Sequence, residues 1–162
     1  MNLIKKIESK IKNPKKGLPK EVFLFLTRIS PMINIDLLIK NKKKQTLLVW
    51  REKGERYDEG WHIPGGIIRF KETIDKRIIL TAKNELGSKI KFAKQPIFYN
   101  EIHLNQKNRS HFISLLFECK IMSGPKKKLM FKKGKPLPGE WKWHDKCPSN
   151  LIKPQYKYKK FI

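Results

Sequence analysis

Residues 61–87 read WHIPGGIIRFKETIDKRIILTAKNELG, in which a short strand pattern and a double glycine precede a helix pattern. The helix is predicted over residues 73–86 because apolar side chains recur there at four-residue spacing and so share one face. These side chains are Ile74, Ile78, Ala82 and Leu86. Gly87 follows directly, at the place where a glycine commonly ends a helix.

Two acidic residues, Glu72 and Glu85, stand near the two ends of this helix. Glu85 follows Ala82 by three residues, so it borders the buried face. From there its carboxylate can point toward the Gly65-Gly66 turn, where the lack of side chains lets the backbone approach a ligand closely. Because Mg²⁺ prefers oxygen ligands and keeps several waters, one carboxylate and a backbone carbonyl can hold a single ion.

Strand patterns flank the helix on both sides. They cover residues 33–39, 46–50, 61–66, 92–104, 111–121 and 141–144. Residues 22–29 fit a helix or an extended segment equally well, and residues 148–152 fit the start of a small helix. Strands followed by one helix and then by more strands predict an α+β fold with a mixed sheet.

The chain is 162 residues long, which suits one domain, and its 38 basic and 14 acidic residues give a net charge of +24. Residues 1–18 are rich in lysine and predict a basic N-terminal tail, either mobile or a loosely attached helix, before a domain over residues 19–162. The positive charge is spread over the whole length. It therefore predicts attraction to polyanions and to a small anionic substrate, and no specific recognition of nucleic acid.

Cysteine usage and hydropathy exclude several classes of protein. The two cysteines, Cys119 and Cys147, form neither a disulfide framework nor a zinc site. No apolar run approaches the roughly 20 residues that span a bilayer, and the basic N-terminus lacks the apolar segment of a signal peptide. We therefore expect a cytoplasmic protein without a membrane partner.

The spacing of Gly66, Glu72, Glu85 and Gly87 resembles the signature of the Nudix hydrolases. That signature is a glycine, five residues, a glutamate, seven residues, and then Arg-Glu-aliphatic-any-Glu-Glu-any-Gly-aliphatic. The resemblance implies a Nudix-type α/β/α sandwich with a mixed β-sheet and one principal helix, the one predicted above.

The chain departs from the signature within the helix. Leu80 stands where the motif has arginine, Thr81 and Asn84 stand where it has glutamates, and Ser88 replaces the last aliphatic residue. Losing two of the three late glutamates leaves ligands for one metal ion, or for none.

These losses suit the GDP-mannose mannosyl hydrolases, a subgroup that the chain resembles over most of its length. The resemblance implies that Glu85 and the carbonyl of Gly65 bind Mg²⁺. It also implies that Asp36, Arg51 and His103 lie in or near the substrate site. The subgroup is dimeric, so a homodimer is implied in the same way.

The residues themselves support these roles. Asp36 lies within an apolar strand, where a charge is costly unless it is paired. Arg51 follows a strand and precedes a polar loop, which is a suitable place to clamp a diphosphate through two parallel hydrogen bonds. His103 stands at the end of a predicted strand.

The general base has no direct match. In the subgroup a glutamine metal ligand and a histidine base come from a loop that corresponds to residues 135–140, which contain neither. Glu140 is the only carboxylate of this loop and His144 lies just beyond it, so both are candidate bases. The subgroup has a catalytic arginine directly after the double glycine, where this chain has Ile67. Arg69 is the nearest arginine and is therefore the candidate for that role.

The resemblance implies magnesium-dependent hydrolysis of a nucleoside diphosphate sugar, with GDP-mannose first. In that reaction water attacks the anomeric carbon of the sugar and the nucleoside diphosphate departs. The missing motif residues leave a different class open, a noncatalytic degenerate Nudix domain that binds a nucleotide or a polyanion. A third possibility is cleavage of the pyrophosphate of another nucleotide, which generally uses the lost glutamates.

Overall fold

A computed structural model describes residues 2–54 and 57–162, in which eight strands form two sheets. The strands are β1 (Met32–Ile39), β2 (Thr46–Arg51), β3 (Gly60–His62), β4 (Gly65–Ile67), β5 (Ile90–Phe92), β6 (Ile97–Ile102), β7 (His111–Ile121) and β8 (Trp141–His144). The α-helices are α1 (Leu3–Ser9), α2 (Lys20–Ile29) and α3 (Ile74–Thr81). A π-helical turn (Ala82–Leu86) continues α3, and 3₁₀-helices cover Lys127–Leu129 and Lys153–Phe161.

The larger sheet has the order β4-β1-β7-β5, and β6 pairs with β7 beyond the end of β5. Strands β1 and β7 are parallel, whereas the other pairs of this sheet are antiparallel. The smaller sheet, β3-β2-β8, is antiparallel throughout. The predicted α+β fold with a mixed sheet is confirmed.

Side chains alternate along β1 between two apolar clusters. One cluster packs Ile35, Leu37 and Ile39 against the side chains of α3 and its π-helical turn, including Ile78. The other cluster contains Leu38 and the C-terminal 3₁₀-helix. Helical layers therefore lie on both sides of the β-structure, as an α/β/α sandwich requires. Asp36 lies on the same face of β1 as Leu38. Its neighbours in the strand, Ile35 and Leu37, point into the first cluster.

The predicted principal helix is confirmed, with a local change of winding at its end. The Thr73 side chain caps α3 by accepting a hydrogen bond from the amide of Lys76. At the other end the amide of Gly87 donates to the carbonyls of Ala82 and Lys83, and Gly87 has φ 67°. Such π-turns occur frequently at functional sites, and this one contains Glu85.

Two predicted elements are wrong in detail. The single strand expected over 92–104 is two strands, because the chain bends at Lys94 and Gln95 and Pro96 has no amide hydrogen to continue the ladder. Residues 148–152 are not helical, since Leu151 bridges Trp61 in parallel. The 3₁₀-helix begins only after them.

Residues 61–66, expected as one strand, change sheets in the middle. Strand β3 pairs with β2 in the smaller sheet, and β4 pairs with β1 in the larger one. Pro64 lies between them, and its carbonyl accepts a hydrogen bond from the amide of Leu37. The switch carries Gly65 away from Trp61 and places it beside Asp36.

The N-terminal residues contain α1 and then approach the larger sheet. Residues 22–29 form part of α2, which resolves the choice between helix and extended segment in favour of helix. The carbonyl of Lys15 accepts a hydrogen bond from Arg69 at 3.5 Å. The division between a tail and a domain at residue 18 stays a prediction. Within the described ranges, no helix is long and apolar enough to cross a membrane.

Candidate functional site

Two cavities meet at Arg51, which lines both. The main cavity, of about 610 Å³, is bounded by β1, β4, α2 and the C-terminal 3₁₀-helix. The second cavity, of about 400 Å³, lies where the end of β2 faces the π-helical turn, and it is lined by His62 and Glu85 among others. The main cavity has the size of a small-molecule site.

The charges that line the main cavity are mostly positive. The cations are Arg51, Arg69, Arg77, Arg109 and Lys157, and the carboxylates are Asp36 and Glu101. Several cations that converge on one concave surface attract anionic ligands and concentrate them locally. The cavity therefore fits a ligand that carries phosphate or carboxylate groups.

Asp36 is buried in the wall of this cavity and held by three donors. Its Oδ2 accepts hydrogen bonds from the Tyr158 hydroxyl at 2.6 Å and from Asn34 Nδ2 at 2.7 Å. Gln155 Nε2 lies 3.4 Å from its Oδ1. Burial raises the pKa of Asp36, and the Tyr158 hydrogen bond and the charge of Lys157 oppose that rise.

His103 belongs to a second polar group of the main cavity. Its Nε2 lies 3.7 Å from Glu101 Oε2. Lys157 pairs with Glu101 and also donates to the Ser114 hydroxyl at 3.0 Å. Ser114 Oγ lies 2.6 Å from Glu101 and 2.7 Å from Asn34 Oδ1, so this group is continuous with the one around Asp36.

Glu85 and Gly65 lie together, and their predicted role in binding a metal stays a prediction. The amide of Gly65 donates a hydrogen bond to the Glu85 carboxyl. Burial raises the pKa of Glu85 to about 7, the charge of Arg51 and the Gly65 amide lower it, and the charge of Asp36 raises it. The residues predicted for metal and substrate are therefore within electrostatic reach of one another.

This donor set fits at most one hard cation. Among the described residues, no group of three or more His, Cys, Asp and Glu side chains could hold a metal ion. Asp36 and Glu85 both lie beside Gly65, but Tyr158 and Asn34 already hold the Asp36 carboxyl. The Glu85 carboxyl, with a pKa of about 7, would be ionised readily by a bound cation. Such a site suits Mg²⁺ that keeps most of its waters, and it does not suit a cluster of ions.

Thr81 and Asn84, which replace the motif's glutamates, have different surroundings. Thr81 is buried, and a Cβ placed on Gly66 would lie only 3.0 Å from its hydroxyl. The helix thus approaches β4 closely at this point. Asn84 is exposed and lines the second cavity.

Glu72 forms an ion pair that the sequence reasoning missed. Its Oε2 accepts from Arg77 Nε at 2.7 Å, lies 2.6 Å from Arg77 Nη2, and accepts from the amide of Arg69 at 3.0 Å. Burial alone would raise the pKa of Glu72, but these hydrogen bonds and charges lower it. Arg77 lies one helical turn before Leu80, the position where the signature has arginine. No helix spacing marks its pair with Glu72, which precedes the helix and lies five residues from Arg77.

Arg77→Met is expected to lower the free energy of unfolding by about 2–3 kcal/mol, because it removes both side-chain contacts of the Glu72 carboxylate and leaves only the amide and the charge of Arg69. Chemical unfolding measures the loss. The matched control is Lys83→Met on the exposed side of the following π-helical turn, expected within about 0.5 kcal/mol of wild type. Equal losses in the two variants would show that the ion pair contributes nothing.

The two candidate bases lie outside both cavities. Glu140 Oε2 accepts a hydrogen bond from the amide of Leu137 at 2.8 Å, which closes a turn. His144 packs edge-on against Trp61, with ring centroids 4.7 Å apart. Burial and the charge of Lys142 lower the pKa of His144 to about 4. The catalytic roles of Glu140 and His144 stay predictions.

The other predicted site residues line the main cavity. They are Asp36, Arg51, Arg69 and His103. The sequence reasoning missed Gln155, Lys157 and Tyr158, which the C-terminal 3₁₀-helix brings to Asp36 and Glu101. It also missed the buried His62, whose Nδ1 has no hydrogen-bond partner among the described residues. Burial lowers the pKa of His62 well below its usual value.

No protein-family model and no curated protein sequence matches this chain. Solved structures do match. A MutT Nudix hydrolase from Burkholderia pseudomallei superposes with a TM-score of 0.59 at 15% identity, over 82% of this chain and 98% of that one. The MutT protein from Methanosarcina mazei Go1 gives 0.53 at 21% identity, over 72% and 78%.

A UDP-X diphosphatase gives a TM-score of 0.51 at 18% identity, over 88% of this chain and 64% of that one. At these identities the similarity is one of fold. Together with the glycine turn, the long helix and the mixed sheet, it shows that this chain has the fold of the Nudix hydrolases.

Proposed function

We propose that this protein hydrolyses a nucleoside diphosphate sugar, GDP-mannose first, with the help of one Mg²⁺. The observation that carries the proposal is the position of Arg51, where a cationic cavity of nucleotide size meets the Glu85–Gly65 pair. The diphosphate would lie at this junction, and the rest of the ligand would extend into the main cavity. The structural similarity to a UDP-X diphosphatase supports a nucleoside diphosphate derivative as the ligand class.

Arg51 is suited to hold the diphosphate. Its guanidinium lies over the Tyr57 ring at 5.8 Å, and its Nη1 is 3.4 Å from the Tyr57 hydroxyl. These contacts restrict its orientation and leave other N–H groups to bind phosphate oxygens in pairs. Arg69 adds a second cation to the wall of the main cavity.

Glu85 and the carbonyl of Gly65 would hold the Mg²⁺. When bound, the ion would stabilise the negative charge that develops on the departing diphosphate. Glu140 or His144 would serve as the base only after a movement toward the second cavity. Pro138 and Gly139 of the same loop already line that cavity.

Hydrolysis in ¹⁸O-labelled water is expected to place the label in the free sugar. The helix offers Glu85 alone of the late glutamates, and one ion with Arg51 suffices for a departing diphosphate. Attack at the anomeric carbon asks less of the protein, because the ring oxygen shares the developing positive charge. Mass spectrometry of the products locates the label, with Glu85→Gln as the inactive control.

Label in a phosphate product would instead assign the protein to pyrophosphate cleavage. That is the second candidate, and the similarity to the UDP-X diphosphatase favours it. A third candidate, a noncatalytic nucleotide-binding domain, is favoured by Thr81 and Asn84 in place of two glutamates. It predicts calorimetric binding of GDP-mannose without any turnover in the presence of Mg²⁺.

A further inference from the structure

The loop between β6 and β7 is fastened to α2. The amide of His103 donates to the carbonyl of Ser110 at 2.7 Å and closes the loop. The amide of Arg109 donates to the hydroxyl of the buried Thr27 at 3.1 Å. Arg109 has φ 54°, a left-handed conformation that is uncommon for a non-glycine residue and recurs at ligand sites. The backbone of Arg109 is therefore held in place.

The side chain of Arg109 lacks one of its partners. Its guanidinium lies 5.7 Å from the centre of the Phe23 ring and lines the main cavity. Its Nε is buried and has no hydrogen-bond acceptor among the described residues. A buried N–H of a charged group is costly when unpaired. An acceptor supplied by a ligand would remove that cost.

The carboxylates of the main cavity are already engaged. Asp36 accepts hydrogen bonds from Tyr158 and Asn34. Glu101 pairs with Lys157 and lies within hydrogen-bond distance of the Ser114 hydroxyl. A ligand that enters the cavity can instead supply an anionic acceptor for the Arg109 guanidinium.

We propose that Arg109 binds an anionic group of the ligand other than the diphosphate, either a phosphomonoester or a carboxylate. The proposed place of the diphosphate is the junction at Arg51, and Arg109 lines the main cavity without lining the second one. The inference rests on the proposed binding of a nucleoside diphosphate derivative, but not on its hydrolysis. It extends the substrate class from neutral sugars such as mannose to derivatives with an additional negative charge.

Calorimetric titration of the metal-free protein in EDTA tests this with two pairs of probes. UDP-glucuronate and UDP-glucose differ by a carboxylate on the sugar. ADP-ribose 2′-phosphate and ADP-ribose differ by a phosphate on the nucleoside. In at least one pair, wild type is expected to bind the more anionic member about tenfold more tightly, the strength of a charge-assisted hydrogen bond. The pair that shows the preference identifies the group.

Arg109→Gln is expected to reduce this ratio to about one and to leave the less anionic member bound within about twofold. Arg109→Lys keeps the charge and should retain part of the ratio. The matched control is Arg28→Gln, which removes a cation and a 2.9 Å hydrogen bond to Asn108 at the same loop but does not line the cavity. It should keep the full ratio, which separates a local contact from the general attraction of a cationic surface.

Equal binding of both members by wild type in both pairs would overturn the inference and leave the proposed function standing. So would an Arg109→Gln variant that weakens both members equally, because Arg109 would then contact the diphosphate that they share. If wild type binds none of the four probes but binds GDP-mannose under the same conditions, the inference fails and the proposed function stands. If it binds neither the probes nor GDP-mannose, both fail.

Discussion

Glu85→Gln is expected to lower metal-dependent turnover by about 100-fold or more while the protein stays folded. The substitution removes the charge that would hold Mg²⁺, and it changes the volume of the side chain little. The amide oxygen of glutamine can still accept the hydrogen bond from Gly65. Steady-state rates over a series of Mg²⁺ concentrations measure the effect, with Glu8→Gln on the exposed helix α1 as the control. Full activity at limiting Mg²⁺ would show that the metal lies elsewhere.

The same variant is expected to gain stability at alkaline pH. Burial raises the pKa of Glu85 from 4.5 to about 7, so the folded state favours the protonated carboxyl. That contribution is fully present below pH 4.5 and is lost as the pH rises through 7. Glutamine does not titrate, so the variant's advantage should grow between pH 5 and pH 8, with an upper limit of about 3 kcal/mol. Thermal unfolding without metal measures it, and a variant less stable than wild type at pH 8 contradicts it.

Gly65→Ala is expected to destabilise the fold by about 3 kcal/mol or more and to abolish ligand binding. A Cβ at this position would lie 2.3 Å from Asp36 Oδ1 and 2.7 Å from the carbonyl oxygen of Ile35. The carbonyl belongs to the neighbouring strand, so β4 would have to separate from β1 to make room. The Asp36 carboxylate cannot swing away freely either, since Tyr158 and Asn34 hold it.

Gly124→Ala is the matched control, because a Cβ there has nothing within 4 Å. Its unfolding midpoint in urea should stay within about 0.5 kcal/mol of wild type. If the Gly65 and Gly124 variants unfold at the same urea concentration, the close approach of Asp36 to β4 does not constrain the site.

Local patterns predicted those parts of the fold that depend on local periodicity. The helix over 73–86 and strand β7 follow from the spacing of their apolar residues, and the structure has β7 with the predicted bounds. No periodic pattern of apolar residues marks the change of sheet between β3 and β4. That change depends on pairing of Gly65 with a strand almost thirty residues earlier in the chain, and the sequence therefore indicated a single strand.

The candidate site was predictable to the same extent. Glu85 belongs to the helix motif and Gly65 directly precedes the first glycine of that motif. The structure places the two residues side by side. Tyr158 and Gln155 reach Asp36 across separations of 122 and 119 residues, and no local pattern marks them. The pairing of Arg77 with Glu72 was not predictable from helix spacing, because Glu72 lies before α3 and five residues from Arg77.

Strand β7 pairs with β1, β5 and β6, and this has a consequence for how the chain reaches its native state. The parallel partners Ile35 and Leu115 are eighty residues apart, so their pairing requires the closure of a long loop. Contacts of such high sequence separation form slowly. During synthesis, the edge of β1 that pairs with β7 stays apolar and unpaired until residues 111–121 leave the ribosome. We therefore expect the larger sheet to fold cooperatively and only after β7 has been synthesised. A chaperone that shields extended apolar segments should raise the yield of folded protein.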